Sequence, residues 1–155
     1  MGPGLLIKAL LQGSFSLLVF GWAQIVMDIQ PLLVILSGEG HLHGFTHTYI
    51  GAALLAVFSA VSGKYLATFG LRLIGHREFL PISWLVAGIS AAIGTFSHVL
   101  LDSVMHADVV PFWPLGTHNA LLGLISINAL QWVCLGSGLL GAILYFVLAR
   151  LPTGK

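Results

Sequence analysis

Charge is what this chain has least of. Only 7% of its 155 residues are Asp, Glu, Lys or Arg, against roughly 25% in a soluble domain. With 57% of the residues hydrophobic, the composition is that of a membrane protein. Cysteine is nearly missing as well. Cys134 stands alone, which excludes an internal disulfide and leaves it as a small apolar filler within a span. Lys and Arg are absent from two of the three connections between apolar stretches, so no basic surface is available there for nucleic acid. The polar segments are too short for a soluble module, and the chain reads as a single transmembrane helical domain over 1–155.

What the chain does have is long apolar runs. Four of them reach the roughly 20 residues needed to cross hydrocarbon: Leu5 to Met27, Thr48 to Phe69, Leu80 to Met105 and Asn128 to Ala149. The first is too long for the apolar core of a signal peptide and lacks a small-residue cleavage site before Asp28, so it is expected to span. The expected fold is all-α, a polytopic membrane protein of four helices. Lys8, the set Lys64, Arg72 and Arg77, and the pair Arg150 and Lys155 mark one side. By the positive-inside rule that side is cytoplasmic, with both termini inside and two outward connections.

Polar residues collect at the other end. Asp28 closes the first span; His41, His43 and His47 precede the second; His98, Asp102 and His106 finish the third; Asp108 and His118 follow, and of the seven histidines only His76 lies on the basic side. His98-x-x-x-Asp102-x-x-x-His106 places an imidazole, a carboxylate and an imidazole on one helical stripe. His43 and His47 share the same spacing, but Gly44 follows His43 where a zincin needs Glu, which excludes that protease class. A carboxylate near a helix centre costs about 2.5–3.5 kcal/mol on insertion scales, so Asp28 and Asp102 need partners or water. Taken singly, Glu39, His41, Asp108 and His118 are expected to be hydrogen-bonded or snorkelling groups.

Other patterns are structural. Ala52, Ala56 and Ala60, then Ser83, Ala87 and Ala91, then Ser137 and Gly141, repeat small residues every four positions and predict close helix packing. Such faces also permit self-association into a homo-oligomer. Pro31, with Leu32 to Leu36 after it, predicts a break in the helix and a polar pocket beside Asp28. Pro111-Phe112-Trp113-Pro114 predicts an irregular loop covering the outward polar site.

The order Asp28-Ile29-Gln30-Pro31, His43-Gly44-Phe45-Thr46-His47-Thr48, Ser97-His98-Val99-Leu100-Leu101-Asp102-Ser103 and Pro111-Phe112-Trp113-Pro114 resembles the small membrane-bound metal-dependent hydrolases, the LexA-binding inner-membrane-associated hydrolase family. That family shows Asp-x-Asp late in its first helix, His-Arg-Gly-x-Thr-His-Ser entering the second and His-x-x-x-Asp in a later one. The resemblance carries over to Asp28, Gly44, Thr46, His47, His98 and Asp102. Gln30 stands where the second Asp would be, and either His41 or His43 takes the place of the first imidazole. The resemblance implies a presumed metal site in a polytopic protein of a prokaryotic cytoplasmic membrane.

Imidazoles and carboxylates without thiolate suit a divalent metal, zinc first, with manganese, iron or nickel as alternatives. The expected ligands are Asp28, His43, His47, His98, Asp102 and His106, more than the three a catalytic zinc needs, so either one carboxylate is free as a base, with Asp28 or Asp102 orienting a metal-activated water, or two metals are bound. Thr46 is expected to cap the second helix. The reaction expected is hydrolysis at the outer interface, with membrane lipids as partners and a lipid-linked phosphoester or ester, or another small molecule, as substrate. Two rivals use the same residues: transport of metal ions or protons, and a structural metal clamping the helices.

Overall fold

The computed structural model describes residues 2–150, and every regular element among them is helical. The elements are α1 (Gly2–Leu11), α2 (Leu17–Ser37), α3 (Tyr49–Leu73), α4 (Trp84–Met105) and α5 (Ile127–Arg150), with 3-10 turns at Gln12–Ser14, Phe45–His47 and Arg77–Phe79. The last four helices are each long and apolar enough to cross a membrane, as the composition predicts. Lys155, used above to assign the basic side, lies outside the described residues.

The first span departs from expectation. Leu5 to Met27 is not one helix: α1 stops at Leu11 and α2 starts afresh at Leu17. Local hydrogen bonds explain the break. Gln12 takes a positive φ of 46° and its side-chain amide donates to the Ala9 carbonyl at 2.5 Å. Lys8 Nζ then donates to the carbonyls of Gln12 and Phe15, at 2.6 and 2.8 Å. Ser16 restarts the helix as its N-cap and ties it to α4, because its own N–H donates to Ser90 Oγ at 2.8 Å.

The expected break at Pro31 does not occur. α2 runs through Pro31 and ends at Gly38, whose φ of 74° makes the left-handed cap. Peptide groups in hydrocarbon have no water to bond to, so the apolar run Leu32 to Leu36 keeps its hydrogen bonds within the helix despite the proline. Asp28 therefore sits in the middle of α2 rather than at its end, with Ile29–Ser37 still beyond it. The third span also begins later than Leu80, because Pro81 lies in extended chain and Ser83 caps α4 by accepting from the Val86 N–H at 3.1 Å.

Small side chains set the packing. α3 buries Gly51, Ala52, Ala56, Ser59, Gly63 and Ala67. Ala67 packs into one buried cluster with Val19 and Ala23 of α2 and Ala87 and Ala91 of α4, Ala52 into another with Met27 and Val99, and Gly63 lies against Trp22 and Val19. Of the expected small-residue faces, Ala52, Ala56, Ala87 and Ala91 are buried, Ala60 only partly so, and Ser83 serves as a cap instead. α1 packs on α5, backbone to backbone. A Cβ added to Gly141 would lie 2.3 Å from the Leu6 nitrogen and 2.5 Å from the Leu5 carbonyl carbon, whereas one at Gly136 would meet nothing within 4 Å.

Overpacking of this kind costs about 1–3 kcal/mol. Gly141→Val is expected to lower the thermal unfolding midpoint in detergent by several degrees while Gly136→Val leaves it unchanged. Equal behaviour of the two variants would contradict the α1–α5 contact.

Candidate metal centre

Three backbone devices bring the polar groups together. Asp28 projects from the middle of α2, and His98 and Asp102 stand one turn apart on α4. His43 and His47 come from the chain entering α3, where the 3-10 turn Phe45–His47 folds back on the helix. That turn lies so close to α3 that a Cβ on Gly51 would be 2.1 Å from the Phe45 carbonyl oxygen. Gly44 is held as closely by the Gln30 amide. Thr48, not Thr46, caps α3, its hydroxyl accepting from the Gly51 N–H at 2.9 Å. Thr46 was expected in that role, but its side chain turns the other way, towards Gln30 and His47.

At the centre are two imidazoles and two carboxylates. His47 Nε2 lies 3.3 Å from Asp102 Oδ2, and His98 Nε2 lies 3.2 Å from the same oxygen and 3.2 Å from Asp28 Oδ1. His47 is fully buried, His98 is 10% exposed and Asp28 is 63% exposed at the side chain. The hydrogen-bond network assigns the protons. Gln24 Nε2 donates to the Gly94 carbonyl at 2.8 Å, so its Oε1, 2.9 Å from His98 Nδ1, can only accept. In the neutral ring His98 therefore carries its proton on Nδ1 and turns the Nε2 lone pair to the carboxylates.

The same logic holds for His47. Gln30 Nε2 donates to the His41 carbonyl, so Gln30 Oε1 accepts from both the N–H and the hydroxyl of Thr46. With its proton spent on Gln30, the Thr46 oxygen accepts from His47 Nδ1 at 3.0 Å. His47 Nε2 is thus a bare acceptor, buried and without a hydrogen-bond partner. Its closeness to Asp102 is no contradiction: a lone pair facing a carboxylate is near it without being bonded to it. A divalent cation between them satisfies both, and this donor set of nitrogen and oxygen is one that zinc accepts.

Further out lie His43, His106 and Asp108. His43 Nδ1 is 2.9 Å from Asp108 Oδ2, and its ring stacks on that of His106 with centroids 4.5 Å apart. Partial burial raises the Asp108 carboxyl, but the His43 hydrogen bond and charge, its own backbone N–H and His106 hold it below the usual carboxylate range. The loop after α4 covers this end, as expected. Pro111 accepts from the Tyr49 N–H at 2.8 Å, Trp113 packs edge-on against Phe45, and Asn119 Nδ2 donates to the carbonyls of Ser103 and His106.

All six sequence-expected residues, Asp28, His43, His47, His98, Asp102 and His106, therefore meet at one end, and Asp108 joins them. His41 lines a neighbouring cavity, while His118 is exposed and belongs to none of the His/Asp groups among the described residues. His76 pairs with Glu78 at the opposite end. Sequence reasoning missed Gln24, which had a signal of its own: a polar residue in an apolar span, one turn from Asp28. The polar pocket foreseen beside Asp28 exists only in part. The groove it borders holds Gln24, but its remaining lining is largely apolar, including Leu17, Leu18, Ile25 and Leu66.

The family model described as YdjM inner membrane protein matches residues 10–153. The chain belongs to the YdjM inner membrane protein family. The YdjM match takes in the four spanning helices and every residue of the His/Asp cluster, and it agrees with a multi-pass protein. No curated protein and no solved structure matches the chain. The YdjM description names a membrane and not a reaction.

In chelator-treated protein, at a pH that keeps the imidazoles neutral, nitrogen-15 spectra are expected to show the Nδ1–H tautomer at both His47 and His98. Thr46→Val should release the first and Gln24→Leu the second, each without affecting the other. An Nε2–H tautomer at both positions in the wild type would contradict the assignment.

Proposed function

We propose that this protein is an integral membrane hydrolase that uses a divalent metal, zinc before manganese, iron or nickel. The observation that carries this reading is the convergence of two imidazole lone pairs and two carboxylates, with one of those nitrogens, His47 Nε2, buried and unpartnered. His47, His98 and Asp102 are the ligands, since they are the most buried of the four. Asp28 is more exposed and takes the part of the base. A bound zinc ion lowers the pKa of its water to about 7 and polarises a phosphoryl or carbonyl oxygen. With the metal bound, Asp28 would orient that water and accept its proton, while Gln24 and Thr46 hold the Nδ1 side of each imidazole.

The substrate we infer is a lipid-linked phosphoester or ester. A groove of about 480 Å³ runs between α2 and α3 along Leu18, Trp22, Ile25 and Leu66 and ends at Asp28. Its lining suits an acyl chain, and its polar end brings a headgroup to the carboxylate. The positive-inside rule puts this end at the extracytoplasmic face. Transport fits less well. The fully buried polar side chains Ser59, Ser90 and Thr95 of α3 and α4 are hydroxyls and offer no carboxylate relay.

Metal analysis of detergent-purified protein is expected to give at least one divalent metal per chain, with one equivalent lost in His98→Ala and Asp102→Ala. Gln24→Leu should weaken metal affinity about 10- to 100-fold. Asp28→Asn should keep the metal yet lower kcat on a lipid phosphomonoester or a fluorogenic lipid ester in bicelles, by roughly 10²- to 10⁴-fold. Metal without hydrolysis of either substrate would point to a structural clamp. Absence of metal after zinc and manganese are offered would overturn the reading.

A further inference from the structure

We infer that a second divalent cation binds outside the first, held by His43, His106 and Asp108. This rests on the hydrolase reading for its chemistry but on different residues for its geometry. Donor atoms of the three all lie within 4.8 Å of one another. Tetrahedral ligands at about 2.0–2.2 Å from one zinc ion stand roughly 3.3–3.6 Å apart, so the side chains close in by up to about an ångström to complete the site.

The division of ligands follows from the imidazole itself. A neutral ring has one lone pair, so His43 serves one cation and not two. His43 stands between the two sets, with donor atoms within 4.8 Å of those of His47 and Asp102 as well; its Nδ1 faces Asp108 Oδ2 at 2.9 Å, the contact on which we assign the ring to the outer set. The inner set keeps His47, His98 and Asp102, with Asp28 beside them, and needs nothing from His43.

The outer groups are also held in place before any ion arrives. His106 ends α4, its N–H donating to the Asp102 carbonyl at 2.8 Å, and its own carbonyl is bonded by Asn119. Asp108 lies in the chain between Val104, whose carbonyl accepts from the Gly123 N–H at 3.0 Å, and Pro111, whose carbonyl accepts from the Tyr49 N–H. His43 and Asp108 border a cavity of about 370 Å³ walled by Phe45, Val110 and Trp113. No Lys or Arg occurs between Lys8 and Lys64 or between Arg77 and Arg150. A phosphate headgroup entering that cavity thus meets no fixed cationic side chain from these segments, and an outer metal supplies the missing positive charge. Three protein ligands leave positions open for its oxygens.

The test loads the full-length protein in detergent with zinc chloride, removes excess by desalting and counts zinc per chain by plasma mass spectrometry. The wild type is expected to hold two, Asp108→Asn and His106→Gln one each, and His98→Ala one. Asp108 is half exposed, so its substitution leaves the core intact, and circular dichroism and gel filtration check this. One zinc in the wild type, unchanged in Asp108→Asn, would overturn the second position and leave the hydrolase reading standing. Two zinc ions in both the wild type and Asp108→Asn would place the second ion elsewhere and also overturn it. No zinc in the wild type would overturn both.

Discussion

Two carboxylates and two imidazole lone pairs face one another at the level of Asp28, within a bundle surrounded by apolar surface. Such an arrangement is repulsive until positive charge is placed among them, and in a low-dielectric setting that repulsion is weakly screened. Two added protons or one divalent cation both balance the charge. The hydrogen bonds of Gln24 and Thr46 spend the Nδ1 protons on fixed acceptors and aim the Nε2 atoms inward, the orientation that a cation shared with the carboxylates requires. Side chains that served only as packing would not need their tautomers set by two separate networks.

The fold exists to hold those atoms still. Alanine and glycine faces on α3 and α4 let the helices approach closely enough for side chains on three elements to touch. The glycines at 44 and 51 do the same for the entry to α3, where a methyl group would push the Phe45–His47 turn away. In a membrane, close packing rather than hydrophobic exclusion supplies the association energy, so these small residues count for more than they would in water. α5 stands apart from this arrangement and packs on α1.

Much of this was legible in the chain. Sparse charge and four apolar runs gave the fold class, and the four-residue spacing of His98, Asp102 and His106 gave one wall of the site, because helical periodicity is a local property. Asp28 was found for the wrong reason. Its place at a helix end was read from the close of the apolar run at Met27, with Pro31 expected to break the chain just beyond, yet the helix continues because hydrocarbon penalises a broken backbone more than the proline does. The break at Gln12–Ser14 was invisible to hydropathy, since it depends on Lys8, Gln12 and Ser16 finding particular carbonyl and hydroxyl partners, one of them on α4. Gln24, Asp108 and the real cap at Thr48 were hidden likewise, as their roles depend on what other elements place beside them.

X-ray absorption at the zinc edge, on protein purified without chelator, tests the central claim most directly. The account predicts a shell of nitrogen and oxygen only, at about 2.0–2.1 Å, with the outer-shell scattering of imidazoles and a zinc content per chain that falls by one equivalent in a His47→Ala, His98→Ala double variant. A shell containing sulfur, which would implicate Cys134, or one without imidazole scattering, would contradict it.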